Sequence, residues 1–212
     1  MISQTPASVQ PALREFLAAL EAAIARAGPT EAAAQVVRRV FDAESSADEP
    51  PIAAGEAPPV CVLLDRALAT AMAGGSPAAT VAERLAVLAP GLNWARRPGS
   101  HCAAPAFRDG HANACIIGPG GVASCERVMI GVSLMAPDLQ YPDHRHPPAE
   151  VYYSLSPGSW RQGDGPWVTP GIGGLVYNPS NVVHSMRSSD LPLLAIWCLS
   201  YPFLPMSPAV IS

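Results

Sequence analysis

The chain has 212 residues, 49% hydrophobic and 14% charged, which is enough for one sizeable core and too hydrophobic for a disordered chain. Its net charge of −4 provides no basic footprint for nucleic acid or an anionic membrane, so neither is expected as a partner. No apolar run reaches membrane-spanning length, and the N-terminal MISQTPASVQPALREF lacks a basic region followed by an apolar stretch. Five cysteines, Cys61, Cys102, Cys115, Cys125 and Cys198, are odd in number and lack CxxC spacing. That pattern predicts reduced thiols and a cytoplasmic protein.

The first half reads as helix. Leu13, Phe16, Leu17, Leu20 and Ile24 recur at three- and four-residue spacing, and Gly28 offers a stop. Thr30 is placed to cap a second helix carrying Val36, Val37, Val40 and Phe41. Residues from Ala43 to Pro59 have loop composition. Leu63, Leu64, Leu68 and Met72 suggest a third helix. Thr80 and Glu83, spaced as a capping box, predict the start of a fourth ahead of Leu85 and Leu88.

Beyond Trp94 the period changes. Val128, Ile130, Val132 and Leu134 alternate as a strand facing a core. Further strands are predicted at Glu150–Leu155, Leu175–Tyr177, Asn181–Met186 and Leu193–Tyr201, separated by Gly- and Pro-rich turns. The expected organisation is a helical section over residues 1–92, packed on a β-barrel over residues 93–212 or on a partner subunit. The apolar PFLPMSPAVIS tail is expected to cover the barrel or a neighbouring chain.

The chemistry concentrates in HRHPPAEVYY and NPSNVVH. His144 and His146 are two apart, so on an extended chain both leave one face, and Glu150 follows at an even separation. His184 is placed to complete the set from another strand. Three imidazoles and a carboxylate form a candidate site for one divalent metal and suit Zn, Fe(II), Mn, Ni or Co alike. His101 and His111 read as ordinary surface or core histidines. Arg145 alternates outward, and Arg187 reads as a surface residue, with pairing to a substrate carboxylate as its alternative.

These residues resemble the cupin superfamily. Its first motif is matched by His144-x-His146-x3-Glu150 and its second by Gly173-x5-Pro179-x-Asn181-x2-His184. Four features depart from the pattern: no Gly stands at its usual place before His144, Gly158 comes one residue late, Asn181 replaces a Gly, and Ser188 stands where an Asn is usual. The resemblance implies a mainly β fold, a cupin double-stranded β-helix (jelly-roll) barrel behind an α-helical section. It also implies association into a homodimer through sheets or N-terminal segments.

A narrower resemblance is to the cupin-type dimethylsulfoniopropionate (DMSP) lyases. It rests on the stretch Tyr141 to Tyr152, on Trp160, on the turn ending at Trp167, and on NPSNVVHSM and PLLAIWCLSY. It implies β-elimination of DMSP, a small-molecule substrate, to dimethyl sulfide and acrylate. The metal would bind the substrate carboxylate and Tyr152 would act as general base. For the sulfonium the available aromatics are Tyr141, Trp160, Trp167, Trp197 and Tyr201, with Tyr141 favoured because it flanks the motif. Alternatives are another metal-dependent cupin enzyme (a dioxygenase or sugar isomerase), a relative with a different substrate, and a non-catalytic ligand-binding cupin.

Overall fold

The computed structural model describes residues 6–43, 56–75, 77–97 and 104–201. Helix α1 (Pro6–Arg26) ends ahead of Gly28, whose φ of +69° turns the chain where a side chain would be strained. In α2 (Glu31–Phe41) the Thr30 hydroxyl accepts from the Ala33 N–H at 3.3 Å, the expected cap. A 3-10 turn, Pro59–Leu63, leads into α3 (Leu64–Ala73), and α4 spans Ala78–Leu88. The expected capping box fails. α4 starts before Thr80, and backbone carbonyls meet two early N–H groups, Ala79 on Gly75 at 3.0 Å and Val81 on Pro77 at 3.2 Å. Most of the Ala43–Pro59 loop, His101, Cys102 and the tail after Tyr201 lie outside the described residues.

The strands are β1 (Trp94–Ala95), β2 (His111–Ile117), β3 (Val128–Met135), β4 (Gln140–His144), β5 (Ala149–Ser154), β6 (Gly158–Gln162), β7 (Leu175–Asn178), β8 (His184–Ser188) and β9 (Leu193–Ser200). A short helix, α5 (Pro105–Gly110), precedes β2. All pairings between them are antiparallel, in a six-stranded sheet ordered β1-β2-β3-β9-β5-β7 and a three-stranded sheet ordered β4-β8-β6. The fold is mainly β, a cupin-type barrel with an N-terminal helical section. β8 starts at His184, three residues later than predicted, because Asn181 adopts φ +59° in a turn.

The alternating face of β3 meets the helices and not the barrel interior. Ile130, Val132, Leu134, Tyr153, Leu155 and Ile196 share one buried core with Phe16, Leu20 and Ile24 of α1, Val36 and Val40 of α2, and Val81 and Leu85 of α4. Burial of each large apolar side chain contributes about 1.5–3 kcal/mol, so this shared core joins the helical and barrel sections. The other face lines the barrel. There Val176, Tyr152, Trp197, Gly131 and Cys115 form one in-register row, and Asn178, Glu150, Leu199 and Met129 form the next. A Cβ on Gly131 would stand 2.1 Å from the Trp197 ring, so only glycine lets that indole lie across the row.

Candidate metal centre

Four side chains meet inside the barrel. His144 ends β4 and His184 opens β8, and the two are ladder partners. The strand stops at His144 and carries a bulge after Tyr141, so His146 arrives from the following turn and not by continued alternation. The Asn181 N–H fixes that turn by donating to the His146 carbonyl at 2.9 Å. Asn181 therefore does the glycine's work of a left-handed turn, which Asn tolerates better than most residues. Ser188, at the other departure, accepts from the Leu139 N–H at 2.9 Å and donates to the Ala136 carbonyl at 2.7 Å, tying down the β3–β4 turn.

Candidate ligand atoms of His144, His146 and His184 lie within 4.8 Å of one another. Each ring spends Nδ1 on a backbone carbonyl two residues away: Pro142 at 2.9 Å, Pro148 at 2.9 Å and Val182 at 3.0 Å. Those carbonyls accept only if Nδ1 carries the proton, which leaves the Nε2 lone pairs as the free ligand atoms. Glu150 Oε2 is 3.5 Å from His146 Nε2 and 3.3 Å from His184 Nε2. The His184 Nε2 is buried without a hydrogen-bond partner. Lone pairs crowded onto a buried carboxylate need a cation between them, a proton or a metal ion. The three histidines can hold a metal ion, and their donor atoms leave its identity open among the borderline divalent ions.

Charge in the cluster follows burial and neighbours. Burial, and then the charge of His184, hold His144 down to about 4. Burial alone would raise Glu150, yet His146 and His184 outweigh it and bring the carboxyl down to about 2. Burial opposes protonation of His146, and contact with Glu150 reverses the sign, so His146 is raised. For His144 the folded chain refuses a proton that the unfolded chain accepts, so between about 6.5 and about 4 stability falls as pH falls. Glu150 adds a loss below its ordinary value of 4.5 as pH falls towards about 2, and His146 acts in the opposite sense near neutrality. In the metal-free protein, thermal melts should show a shallower loss of Tm from pH 6.5 to 4 for His144→Gln than for wild type. Equal slopes would remove His144 as the cause.

Sequence reasoning missed Asn178. It stands opposite Glu150 on β7, is buried, and donates to Glu150 Oε2 at 3.0 Å while accepting from Gln162 Nε2 at 2.9 Å. Its Asn-Pro context reads as a turn; only the strand register reveals the contact. If Glu150 is a ligand, removing the group that orients it costs about 10- to 100-fold in metal affinity. Asn178→Ala should show that loss in a competition titration with a chelator, at near-normal helix and strand content by circular dichroism.

The predicted aromatics separate. Tyr152 is buried, faces the Glu150 carboxylate, and has its ring 5.9 Å from that of Trp160. Burial, then the Glu150 charge, push its phenol well above 10. Trp160 and Trp197 line the interior. A cleft of about 390 Å³, bordered by Trp160, Gln162, Val176 and Tyr177, reaches Trp160 from outside. Tyr141 is enclosed: its ring is edge-on to Phe107 and His111, 4.7 Å from His144, and covered by the Arg97 guanidinium at 5.6 Å. Its face already has a cation. Tyr201 is 41% exposed with its hydroxyl on Met129 sulfur, and Tyr153 faces the helical core. Trp167 has the guanidiniums of Arg161 and Arg187 over its ring, at 5.1 and 4.3 Å from its centroid. His111 is fully buried and satisfied, with Nδ1 on the Phe107 carbonyl and Nε2 accepting from the Arg97 N–H.

Among the described residues no helix is long and apolar enough to cross a membrane. The fold as a whole matches the crystal structure of the DMSP lyase DddQ from Ruegeria pomeroyi DSS-3, with TM-score 0.69, 23% identity, and coverage of 93% of this chain and 94% of that one. A structure described as that of the DMSP lyases RdDddP and RnDddQII matches at TM-score 0.68 and 18% identity, over 93% and 96% of the two chains. In sequence, a protein of Cereibacter sphaeroides named as a candidate DMSP lyase, DddL, is 32% identical over 144 residues, 68% of this chain and 58% of its own length. DddQ of Ruegeria pomeroyi is 34% identical over 91 residues, 42% of this chain and 45% of the relative. The chain thus spans about half the length of these two curated relatives. The family model for dimethylsulfoniopropionate lyase matches residues 29–195, and the chain belongs to that family.

Proposed function

We propose that the chain is a metal-dependent carbon–sulfur lyase cleaving DMSP to dimethyl sulfide and acrylate, with Tyr152 as general base. The observation that carries this reading is the Tyr152 phenol beside Glu150, in the same buried chamber as three imidazoles whose Nε2 atoms are free. Membership of the DMSP lyase family supports the substrate class.

DMSP carries a carboxylate at one end and a sulfonium on its β-carbon. The base takes the α-proton, the C–H electron pair becomes the Cα=Cβ bond, and the Cβ–S bond breaks with its electrons going to sulfur. Acrylate and neutral dimethyl sulfide leave, and the base holds one proton to return to water. A divalent cation held by His144, His146, His184 and Glu150 would supply Lewis acidity to the carboxylate, where charge builds as the α-proton leaves, and positive charge beside the phenol. Trp160 and Trp197 offer aromatic faces to the sulfonium in the interior. Tyr141 is the weaker seat, because Arg97 occupies its face.

The test is direct: purified protein loaded in turn with Zn, Fe(II), Mn, Ni and Co is given DMSP, and the headspace is assayed for dimethyl sulfide. Release with at least one metal, abolished by chelation, is expected. No release with any of them rejects the reading, and oxygen consumption in place of acrylate would favour a dioxygenase.

A further inference from the structure

Arg96 and Arg97 leave β1 side by side and find different surroundings. The Arg96 guanidinium is answered, donating to the Arg108 carbonyl at 3.0 Å and to Asp109 at 3.1 Å. Arg97 is held by its backbone, whose N–H donates at 3.0 Å to the buried His111 ring, itself anchored on Phe107. Its guanidinium lies over the Tyr141 ring, and that ring is 4.7 Å from His144. No Asp or Glu among the described residues forms an ion pair with Arg97. Glu150, the buried carboxylate of the site, is committed to His146, His184 and Asn178.

Arg97 is partly buried, has no carboxylate partner among the described residues, and lies over a ring that touches the histidine cluster, a setting suited to receive an anion. We propose that Arg97 is the anion-binding residue of this site and takes the carboxylate of the substrate, an assignment that rests on the lyase reading for the substrate's identity. The Tyr141 ring, covered on one side by this guanidinium and 4.7 Å from the His144 ring, sets Arg97 beside the histidine cluster. A guanidinium holds a carboxylate oxygen with directed, charge-assisted N–H bonds, where an ammonium offers a point charge, and it leaves the other oxygen to the cation that the histidines would hold. It also repels a sulfonium. Arg97 therefore sets direction: the carboxylate lies towards Tyr141 and Arg97, and the sulfonium is turned to the other side of the chamber. Molecules with an ester or amide in place of the carboxylate lose this contact.

The experiment compares metal-loaded wild type with Arg97→Met, Arg97→Gln and Arg97→Lys, using DMSP turnover and inhibition by propionate, which is DMSP without its sulfonium group. Loss of a charged hydrogen-bonded pair predicts a KM for DMSP and an inhibition constant for propionate raised about 10- to 100-fold in the Met and Gln variants. The change in kcat should be smaller, metal content and Tm should hold, and Lys should restore part of the binding. Wild-type KM and propionate inhibition in a folded Met or Gln variant overturn the assignment, as does a loss confined to kcat. Should Met not fold, Gln gives the same reading, because its flat amide keeps contact with Tyr141 without charge. If wild type releases no dimethyl sulfide, calorimetric binding of propionate separates the two ideas. Binding that depends on Arg97 keeps the anion site and rejects only the lyase, whereas binding indifferent to Arg97 rejects the site.

Discussion

Replacing Tyr152 by Phe should lower DMSP cleavage by about 10³-fold, within the range for loss of a general base, and leave metal content and Tm near wild type. The substitution deletes one hydroxyl and keeps the ring that packs near Trp160 in the interior cluster. The phenol starts from an unfavourable position for a base: burial first, then the charge of Glu150, hold its proton on well above 10. Each unit by which the loaded site brings that value back corresponds to about 1.4 kcal/mol of preference for phenolate. The requirement can be measured directly. Phenolate absorbance in the near ultraviolet should appear at lower pH in metal-loaded wild type than in chelated wild type, and Tyr152→Phe should erase the difference. Retention of most turnover by the Phe variant would move the base elsewhere.

What the sequence made readable was residue type and spacing, and what it hid was register. His144, His146, Glu150 and His184 could be named together because their spacing is unusual, and the structure brings them into one chamber. The route differs, since a bulge and a turn, not simple alternation, deliver His146. β4 was hidden because Gln140–His144 carries a Pro and an Asp and has no apolar period. β2 was hidden because His111, Asn113 and Cys115 face the barrel lumen and break the expected contrast. The face of β3 was assigned to a core correctly, but its partner layer is helical, which alternation alone cannot distinguish. Asn178 and Arg97 escaped because each acts across a gap in sequence: strand pairing sets Asn178 on Glu150, and the packing of one sheet on the other sets Arg97 over Tyr141.

His184→Ala should abolish both metal retention and turnover, with activity falling by about 10³-fold or more, because a three-donor remnant lacks the ring that faces Glu150. His184 is the most telling of the candidate ligands to remove. It is 2% exposed, sits opposite His144 in the ladder, and its Nε2 has no other partner to satisfy it. Stability separates metal binding from mere packing. A ligand that binds only the folded state stabilises it by about 4 kcal/mol at a thousand times its Kd. Wild type should therefore show a Tm that climbs with added metal, whereas His184→Ala should show a flat response from a starting value below that of chelated wild type, because a buried ring beside Glu150 is lost. Removing the ring also relieves Glu150 of a neighbour that holds it ionised, so the carboxyl should rise from about 2 towards its ordinary range. A His184→Ala protein whose Tm still climbs with metal would show that the ion is held by other donors, and the four-residue centre would have to be redrawn.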